Sequence, residues 1–455
     1  MFYSNLVYGP LIVYFAYMLI TKKYNLLHVL VFVLPFLSWF YNIGLNLTMF
    51  QIIILIIITV NIISTSLGKP KNLFHIQNNY VNVFIFYSII VTLYMSNYII
   101  EDFQQLGGFF RSEGRFLSQI ILWLIYFSLI PIVYNYIKSS ESIFDYLKVY
   151  LNAIILLILL GWIQYFVYKT SGTDIFPLML YNDGSAKSGI WQYMGSGLFR
   201  ISSLGGEPKG FAQSLIMAFF IIHIANKFNY NFFKYDFFLK IIIVVTIFMT
   251  LATSGFVLFT ILLIVYYFSL LFLGLARIRL NLKTILISLT LIFSTTYMIN
   301  KNIDFFSSVL SERVLDRNIG SEDYDQPIQD FLLDKPQYSI FGSGMGNIHN
   351  LAEKYISSEY KHYMGNTIFV AKSGYLKLIS ELGFIGLFIF LLINFFLVKS
   401  LLLQYKSSNN SIYVIISILL LLLSLGFLAR VYLISFYFLI LSFSILLSNF
   451  RRINN

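Results

Sequence analysis

The chain has 455 residues, of which 58% are hydrophobic and only 11% are charged, with a formal net charge of +11. Soluble domains carry about a quarter charged residues, so this composition excludes a soluble globular protein and predicts a membrane protein. The chain contains no cysteine, which excludes disulfides and thiolate metal sites.

Apolar runs long enough to cross a bilayer recur along the chain, since a spanning helix needs about 20 apolar residues. We predict an all-α, polytopic integral membrane protein with about 13 transmembrane helices, within a range of about 12–14. The first begins near the N-terminus, without a cleavable signal before it. The predicted helices cover residues 5–21, 26–41, 47–66, 82–100, 117–137, 149–168, 210–226, 237–252, 255–275, 284–300, 375–398, 411–429 and 431–449.

Basic residues cluster in alternate connections between these helices, which sets the orientation through the positive-inside rule. One side has only three acids, Glu141, Asp145 and Asp236. We predict that this side, with the C-terminus, faces the cytoplasm. Because its charge is spread over short loops, the basic balance does not indicate nucleic-acid binding. The basic residues of this side are Lys22, Lys23, Lys69, Lys71, Lys138, Lys148, Lys227, Lys234, Lys240, Arg277, Arg279, Lys283, Lys399, Lys406, Arg451 and Arg452.

Three connections on the opposite, outer side exceed turn length, and loops this long are often functional. They are residues 101–116, 170–209 and 301–374. The expected organisation is a first membrane region with ten helices, a large extracytoplasmic loop, and a second membrane region with three helices. These three parts are residues 1–300, 301–374 and 375–455.

The sequence "LFRISSLGGEPKGFA" (198–212) places charges directly before a predicted helix. Pro208 suits a first helical turn, and Gly205 would let a ligand approach the backbone closely. The partial positive charge of the helix N-terminus, together with Arg200 and Lys209, favours a phosphate or pyrophosphate. Glu207 could pair with Arg200 or accept a proton from a hydroxyl. The alternative is an interfacial loop whose cations reach lipid headgroups.

A second group lies in the large outer loop. Arg313 and Arg317 are four residues apart and share a face if the segment is helical, so they could meet another part of an anionic ligand. In the alternative, Glu312 and Asp316 neutralise them on a solvated helix.

Several isolated residues on the outer side are further candidates. His349 and His362 could each serve as a base, although both lie in polar stretches typical of a surface. Arg430, between two apolar runs, would line a cavity or anchor a tight turn, and Arg111 and Arg115 are weaker candidates of this kind. No histidine spacing indicates a metal site. The glycine-rich "FGSGMGN" (341–347) is predicted to be a flexible loop returning to the membrane, not a dinucleotide site.

Three segments occur in an order that resembles the Wzy/O-antigen ligase superfamily of bacterial envelope glycan enzymes. The first is "RISSLGGEPKGFA" (200–212), similar to the superfamily segment with Arg, Gly, Glu-Pro and Ala that opens a membrane helix. The second, "FLLDKPQYSIFGSGMGN" (331–347), resembles its Gly-x-Gly-x-Gly element. The third, "GYLKLISELGFIG" (374–386), resembles its Glu-x-Gly-x-x-Gly element at the start of a late helix.

The resemblance implies a GT-C-like, metal-independent glycosyltransferase without a cofactor. It would act on undecaprenyl-pyrophosphate-linked sugars at the outer face of the bacterial inner membrane. The residues it assigns to catalysis on the pyrophosphate side are Arg200, Glu207, Arg313 and Arg317. Those assigned to substrate binding or to ordering the site are Lys209, Gly205, His349, Arg430 and Glu381, the last of which would order the junction between loop and helix.

The sequence departs from the superfamily at one position. Ligases place a His-Asn pair directly before the third element, and here that stretch is "VAKSGYL" (370–376), without histidine. This favours a Wzy-type polymerase over an O-antigen ligase, which would transfer the glycan to lipid A–core. A lipid-linked oligosaccharide flippase is the alternative of another class. The sugars, the linkage and the binding of a chain-length regulator remain open.

Overall fold

The protein is a bundle of helices. A computed structural model of the chain describes residues 2–21, 24–37, 40–42, 46–68, 78–99, 115–172, 174–175, 199–272, 325–352, 355, 371–429 and 433–453. Eight of the described helical segments are long and apolar enough to cross a membrane. The prediction of an all-α, multi-pass membrane protein is therefore confirmed at this level.

The first half of the described chain forms ten helices and one short β-ribbon. The helices are α1 (Phe2–Ile20), α2 (Leu26–Val33), α3 (Met49–Ser66), α4 (Asn79–Ile99), α5 (Arg115–Phe127), α6 (Leu129–Tyr136), α7 (Ser142–Ser171), α8 (Pro208–Lys227), α9 (Asp236–Met249) and α10 (Thr253–Phe272). The ribbon pairs β1 (Phe40–Asn42) with β2 (Asn46–Thr48) antiparallel, with Tyr41 opposite Leu47.

The second half contributes three short helices and three long ones. These are α11 (Gln326–Asp334), α12 (Pro336–Phe341), α13 (Ile348–Ala352), α14 (Gly374–Ser408), α15 (Ser411–Ala429) and α16 (Ile434–Ile453). Helix α14 has a kink at Gly383, whose φ of +69° is left-handed. This kink matters because the glycine-rich segment before α13 packs against it.

The predicted membrane helix at 26–41 is wrong. Helix α2 ends at Val33 after only eight residues, and the chain then turns into the β-ribbon. Pro35 helps to explain the early end, since proline has no backbone N–H to donate to the carbonyl oxygen four residues before it. The other predicted helices among the described residues are present, including the tight "LATSGF" turn between α9 and α10.

Burial separates central helices from helices that face lipid. In α8 and α15, 83% and 72% of the apolar window is buried, so these two lie in the middle of the bundle. Helix α14 instead presents an exposed apolar stripe with helical spacing, formed by Phe384, Phe388, Leu391 and Phe395. A continuous exposed apolar stripe on such a helix indicates contact with acyl chains.

Candidate functional site

Arg200 lies directly before α8 and is held by the turn between α9 and α10. Its side chain is buried, and Nε donates a hydrogen bond to the carbonyl oxygen of Thr250 at 3.2 Å. The backbone N–H of Ile201 donates to the carbonyl oxygen of Met249 at 3.2 Å. Arg200 therefore fastens the segment before α8 to the end of α9.

Gln164 of α7 holds the same segment from the other side. Its Oε1 accepts hydrogen bonds from the backbone N–H groups of Ser202 and Ser203 at 3.2 and 2.8 Å. Its Nε2 donates to Asp174 Oδ1 at 3.0 Å. Ser203 has a left-handed φ of +52°, which costs free energy outside glycine, so these bonds keep the chain in a strained turn.

Glu207 and Lys209 form an ion pair of their own, with 2.6 Å between Glu207 Oε2 and Lys209 Nζ. Among the described residues, Glu207 thus pairs with Lys209 and not with Arg200. Pro208 is at the first turn of α8 as predicted. Gly205 was predicted to let a ligand approach the backbone, but it is Phe211 of α8 that packs closely against it. A Cβ at position 205 would lie 2.9 Å from Cβ of Phe211.

The glycine-rich segment 342–347 is buried, and the prediction of a flexible loop is wrong. Its backbone N–H groups are bonded: Ser343 to the carbonyl oxygen of Ser380 at 2.8 Å, and Met345 to Thr92 Oγ1 at 3.0 Å. Gly346 has a φ of +82°, and a Cβ there would lie 3.1 Å from the carbonyl oxygen of Arg115. The segment is therefore packed in a defined conformation between α4, α5 and α14.

Glu381 of α14 accepts hydrogen bonds from this glycine-rich segment. Its Oε1 accepts a hydrogen bond from the N–H of Gly346 at 3.3 Å, and its carbonyl oxygen accepts one from Gly344 at 2.9 Å. The side chain is 3% exposed. These contacts agree with the role at the junction of loop and helix that the resemblance implies for Glu381.

Arg115, the first residue of α5, is a buried cation at an unfavourable place. A helix N-terminus carries partial positive charge and disfavours a further cation. Arg115 is 9% exposed, and among the described residues no hydrogen-bond partner reaches its Nε. It attracts Glu381 electrostatically, but the salt bridges between described residues do not include it. An anion would be stabilised here.

His349 and Glu381 each interact electrostatically with Arg115, and Lys377 lies on the same helix as Glu381. We call these four residues the Arg115 cluster: Arg115, His349, Lys377 and Glu381. Lys377 is 7% exposed and lies one helical turn before Glu381. His349 is 4% exposed, and burial, together with the nearby Arg115, lowers its pKa to about 4. His349 is neutral at pH 7, so the cluster contains two cations and one carboxylate. His349 was predicted to lie in a surface-like stretch, and that prediction is wrong because the residue is buried.

Part of the predicted site lies outside the described residues. The described residues do not include Arg313 and Arg317, which were predicted to share a helix face, nor Arg430, Arg111 and His362. Within the described part of the chain, no group of three His, Asp or Glu side chains is arranged to hold a metal ion.

Sequence reasoning gave too little weight to two candidate functional residues. Arg115 was a weaker candidate and Lys377 was not singled out, because sequence spacing gave no sign that either would be buried. Comparison with models of known protein families and with curated proteins gives no match to this chain.

Proposed function

We propose that the protein is a membrane-embedded polymerase of oligosaccharide repeat units carried on undecaprenyl pyrophosphate. It would transfer the growing glycan of an O-antigen or related surface polysaccharide to a new lipid-linked repeat unit, at the outer face of the bacterial inner membrane. The observation that supports this most is Arg115, a buried cation near Glu381 and His349 whose Nε has no hydrogen-bond partner among the described residues. Buried charge is costly unless it is compensated, and a diphosphate would supply the missing negative charge.

The chemistry is a single displacement at the sugar. The bond between the anomeric carbon and the diphosphate oxygen breaks, the acceptor hydroxyl oxygen bonds to that carbon, and the hydroxyl proton passes to a base. Negative charge grows on the departing diphosphate, and cations already in place stabilise it in the transition state. No nucleotide is needed, because the sugar is already activated by its lipid carrier.

Cations at the predicted outer end of the bundle would share this work. We assign the diphosphate to Arg115 and Lys377, and keep Arg200, Arg313 and Arg317 as candidates for the same ligand. Arg200 is close to the N-terminus of α8, and Arg115 begins α5. By the charge distribution of the loops, both helix ends face away from the cytoplasm.

His349 and Glu207 are the two candidate bases. A base with a pKa of about 4 is weak for a hydroxyl at pH 7, since efficient bases have a pKa near the working pH. A bound diphosphate would offset the charge of Arg115 and so raise the pKa of His349. Substrate would in this way improve its own base. Glu207, engaged with Lys209, would have to exchange that partner for the hydroxyl.

The finer architecture is part of the same proposal. Thirteen spans and a GT-C-like arrangement would follow if residues 284–300 add a membrane helix and if α1, α9 and α16 also cross the bilayer. A cysteine scan with a membrane-impermeant reagent tests this, because the chain has no native cysteine to interfere. Labelling from the outside at Ser171, and from the inside at Lys227, is expected, since both residues are exposed.

The activity is tested with purified protein and lipid-linked repeat units alone. A ladder of longer glycans is expected, and an unchanged substrate would contradict the polymerase. Adding lipid A–core should leave the product unchanged, whereas a product formed only with lipid A–core would identify a ligase. Arg115→Gln should abolish the ladder. Lys227→Gln, which removes an exposed cation at the opposite end of α8, is the matched control and should retain it.

A further inference from the structure

A cleft lies between three helices at the end of the bundle that carries the basic loops, far along the helices from the Arg115 cluster. The start of α4, the later part of α14 and the end of α16 form its walls. Its volume is about 460 Å³, in the range of about 300–1,000 Å³ that is usual for ligand sites. The lining residues are Asn78, Asn79, Tyr80, Phe396, Leu397, Ser400, Ser448 and Asn449.

The lining is divided between an aromatic wall and a polar wall. Tyr80 and Phe396 stack with 4.8 Å between ring centroids and 9° between planes. Asparagine and serine side chains supply hydrogen-bond donors and acceptors on the other walls. A ligand that fits both walls has an apolar part and a polar, hydrogen-bonding head.

The surface around the cleft indicates that such a ligand arrives from the bilayer. On α14, Phe395 is 60% exposed and Leu403 is 58% exposed, one on each side of Ser400. Large apolar side chains this exposed on a membrane helix contact acyl chains. A molecule that reaches the cleft past them is a lipid.

The charge near the cleft favours an anionic headgroup. Lys399 is exposed and directly precedes Ser400. Basic pockets between membrane helices on the cytoplasmic side bind acidic lipid headgroups, and each Lys or Arg near such a surface contributes about 1 kcal/mol. The loops on this side have an excess of cations, which matches an anionic leaflet.

We propose that this cleft binds one anionic phospholipid from the leaflet on the basic side of the protein. The phosphate interacts with Lys399 and with the asparagine and serine groups, and an acyl chain packs along Tyr80 and Phe396. The site is independent of the proposed polymerase activity.

The test measures the apparent melting temperature of the full chain in detergent, with added phosphatidylglycerol or with phosphatidylcholine of the same acyl chains. Phosphatidylglycerol at saturation should raise the melting temperature of the wild type by about 2–4 °C more than phosphatidylcholine does. Equal shifts with the two lipids would overturn the proposal. Glycerol 1-phosphate alone should give no shift, and a full shift would show that a soluble phosphate, not a lipid, is bound.

Two variants locate the effect. Ser400→Phe fills the cleft, and Lys399→Gln removes the cation next in sequence to Ser400 without adding volume, so at least the second should fold. Both should lose most of the preference for phosphatidylglycerol. The matched control Lys227→Gln removes an exposed lysine at the same end of the bundle but away from the cleft, and should keep it. An unchanged preference in Lys399→Gln and in folded Ser400→Phe would overturn the assignment.

Discussion

The cations in the segment that leads into α8 have partners within the protein, whereas Nε of Arg115, at the start of α5, has none among the described residues. Arg200, before α8, donates to the carbonyl oxygen of Thr250, and Lys209 pairs with Glu207. Arg115, at the start of α5, is buried with Nε unpartnered among the described residues. The cations therefore have two different roles. Those before α8 hold the segment in place through contacts within the protein, and Arg115 at the start of α5 is available to bind a ligand through Nε.

The difference also separates what each substitution should do. Removing a cation that the protein uses as a hydrogen-bond donor leaves a buried acceptor unsatisfied and destabilises the fold. Removing Arg115, whose Nε has no partner among the described residues, breaks no such bond at Nε and takes away only its attraction for the buried Glu381, so it should cost the fold less and act mainly on function. Four substitutions and one titration test this contrast.

The largest effect is expected for Arg115→Gln on turnover. Loss of one preorganised group that stabilises developing negative charge costs about 100–1,000-fold in rate. The measurement is the rate at which lipid-linked repeat units are joined. The melting temperature should fall less than it does in Arg200→Gln, because the only described interaction lost is the attraction between Arg115 and Glu381. A variant that keeps wild-type turnover, or that loses activity only because it unfolds, would remove the distinction between the two groups.

His349 should make stability depend on pH in a defined window. Its pKa in the folded protein is about 4, below the value of about 6.5 in an unfolded chain. As the pH falls from about 6.5 to 4, the unfolded chain binds a proton that the folded chain does not, so the free energy of unfolding falls by about 3 kcal/mol.

His349→Gln removes this contribution and serves as its own comparison. Unfolding of wild type and variant is measured in detergent at several values of pH. The difference between the two should change across this window and stay constant above it. Parallel curves from pH 7 to 4 would mean that His349 is not buried in its neutral form beside Arg115.

Arg200→Gln should act mainly on stability. It breaks the hydrogen bond from Nε to Thr250, whose side chain is fully buried, and a bond from a charged donor contributes about 1.5–3 kcal/mol. A lower melting temperature is expected than in Arg115→Gln. If Arg200 also binds the diphosphate, turnover falls beyond what the loss of folded protein explains. A variant with unchanged stability would contradict the structural role.

Gly346→Ala should have the smallest effect of the four substitutions. A left-handed alanine costs about 1 kcal/mol or more, and its Cβ would press on the carbonyl oxygen of Arg115 at 3.1 Å. The control is Gly172→Ala, where φ is +68° and the space around the Cβ is open. Melting temperatures should fall further for Gly346→Ala, and equal losses would show that the glycine-rich segment is not tightly docked.

Hydropathy was enough to predict most helices, because each must bury its backbone hydrogen bonds within one apolar run. Residues 26–41 show the limit of this argument. An apolar run of that length is compatible with a membrane helix and equally with a short helix, a turn at Pro35 and a β-ribbon. The choice depends on packing against the rest of the bundle, which hydropathy does not contain.

The candidate site was less predictable than the fold. The Pro208 start of α8 followed from local sequence, and Glu381 was named through the resemblance of its segment to a known superfamily element. The sequence did not predict that Lys209 pairs with Glu207, or that Nε of Arg115 has no partner among the described residues. Charge neutralisation depends on which side chains meet in space. Glu381 and Arg115 belong to helices that are remote in sequence, so spacing could not bring them together.

The central claim is that Arg115 and Lys377 together bind a diphosphate, and titration with inorganic pyrophosphate tests it most directly. The melting temperature of purified protein is followed at constant ionic strength, with sulfate as the reference anion. Pyrophosphate should raise the melting temperature of the wild type and of Lys227→Gln, and should leave that of Arg115→Gln and Lys377→Met unchanged. Equal stabilisation of wild type and Arg115→Gln, or none of the wild type, would contradict the account.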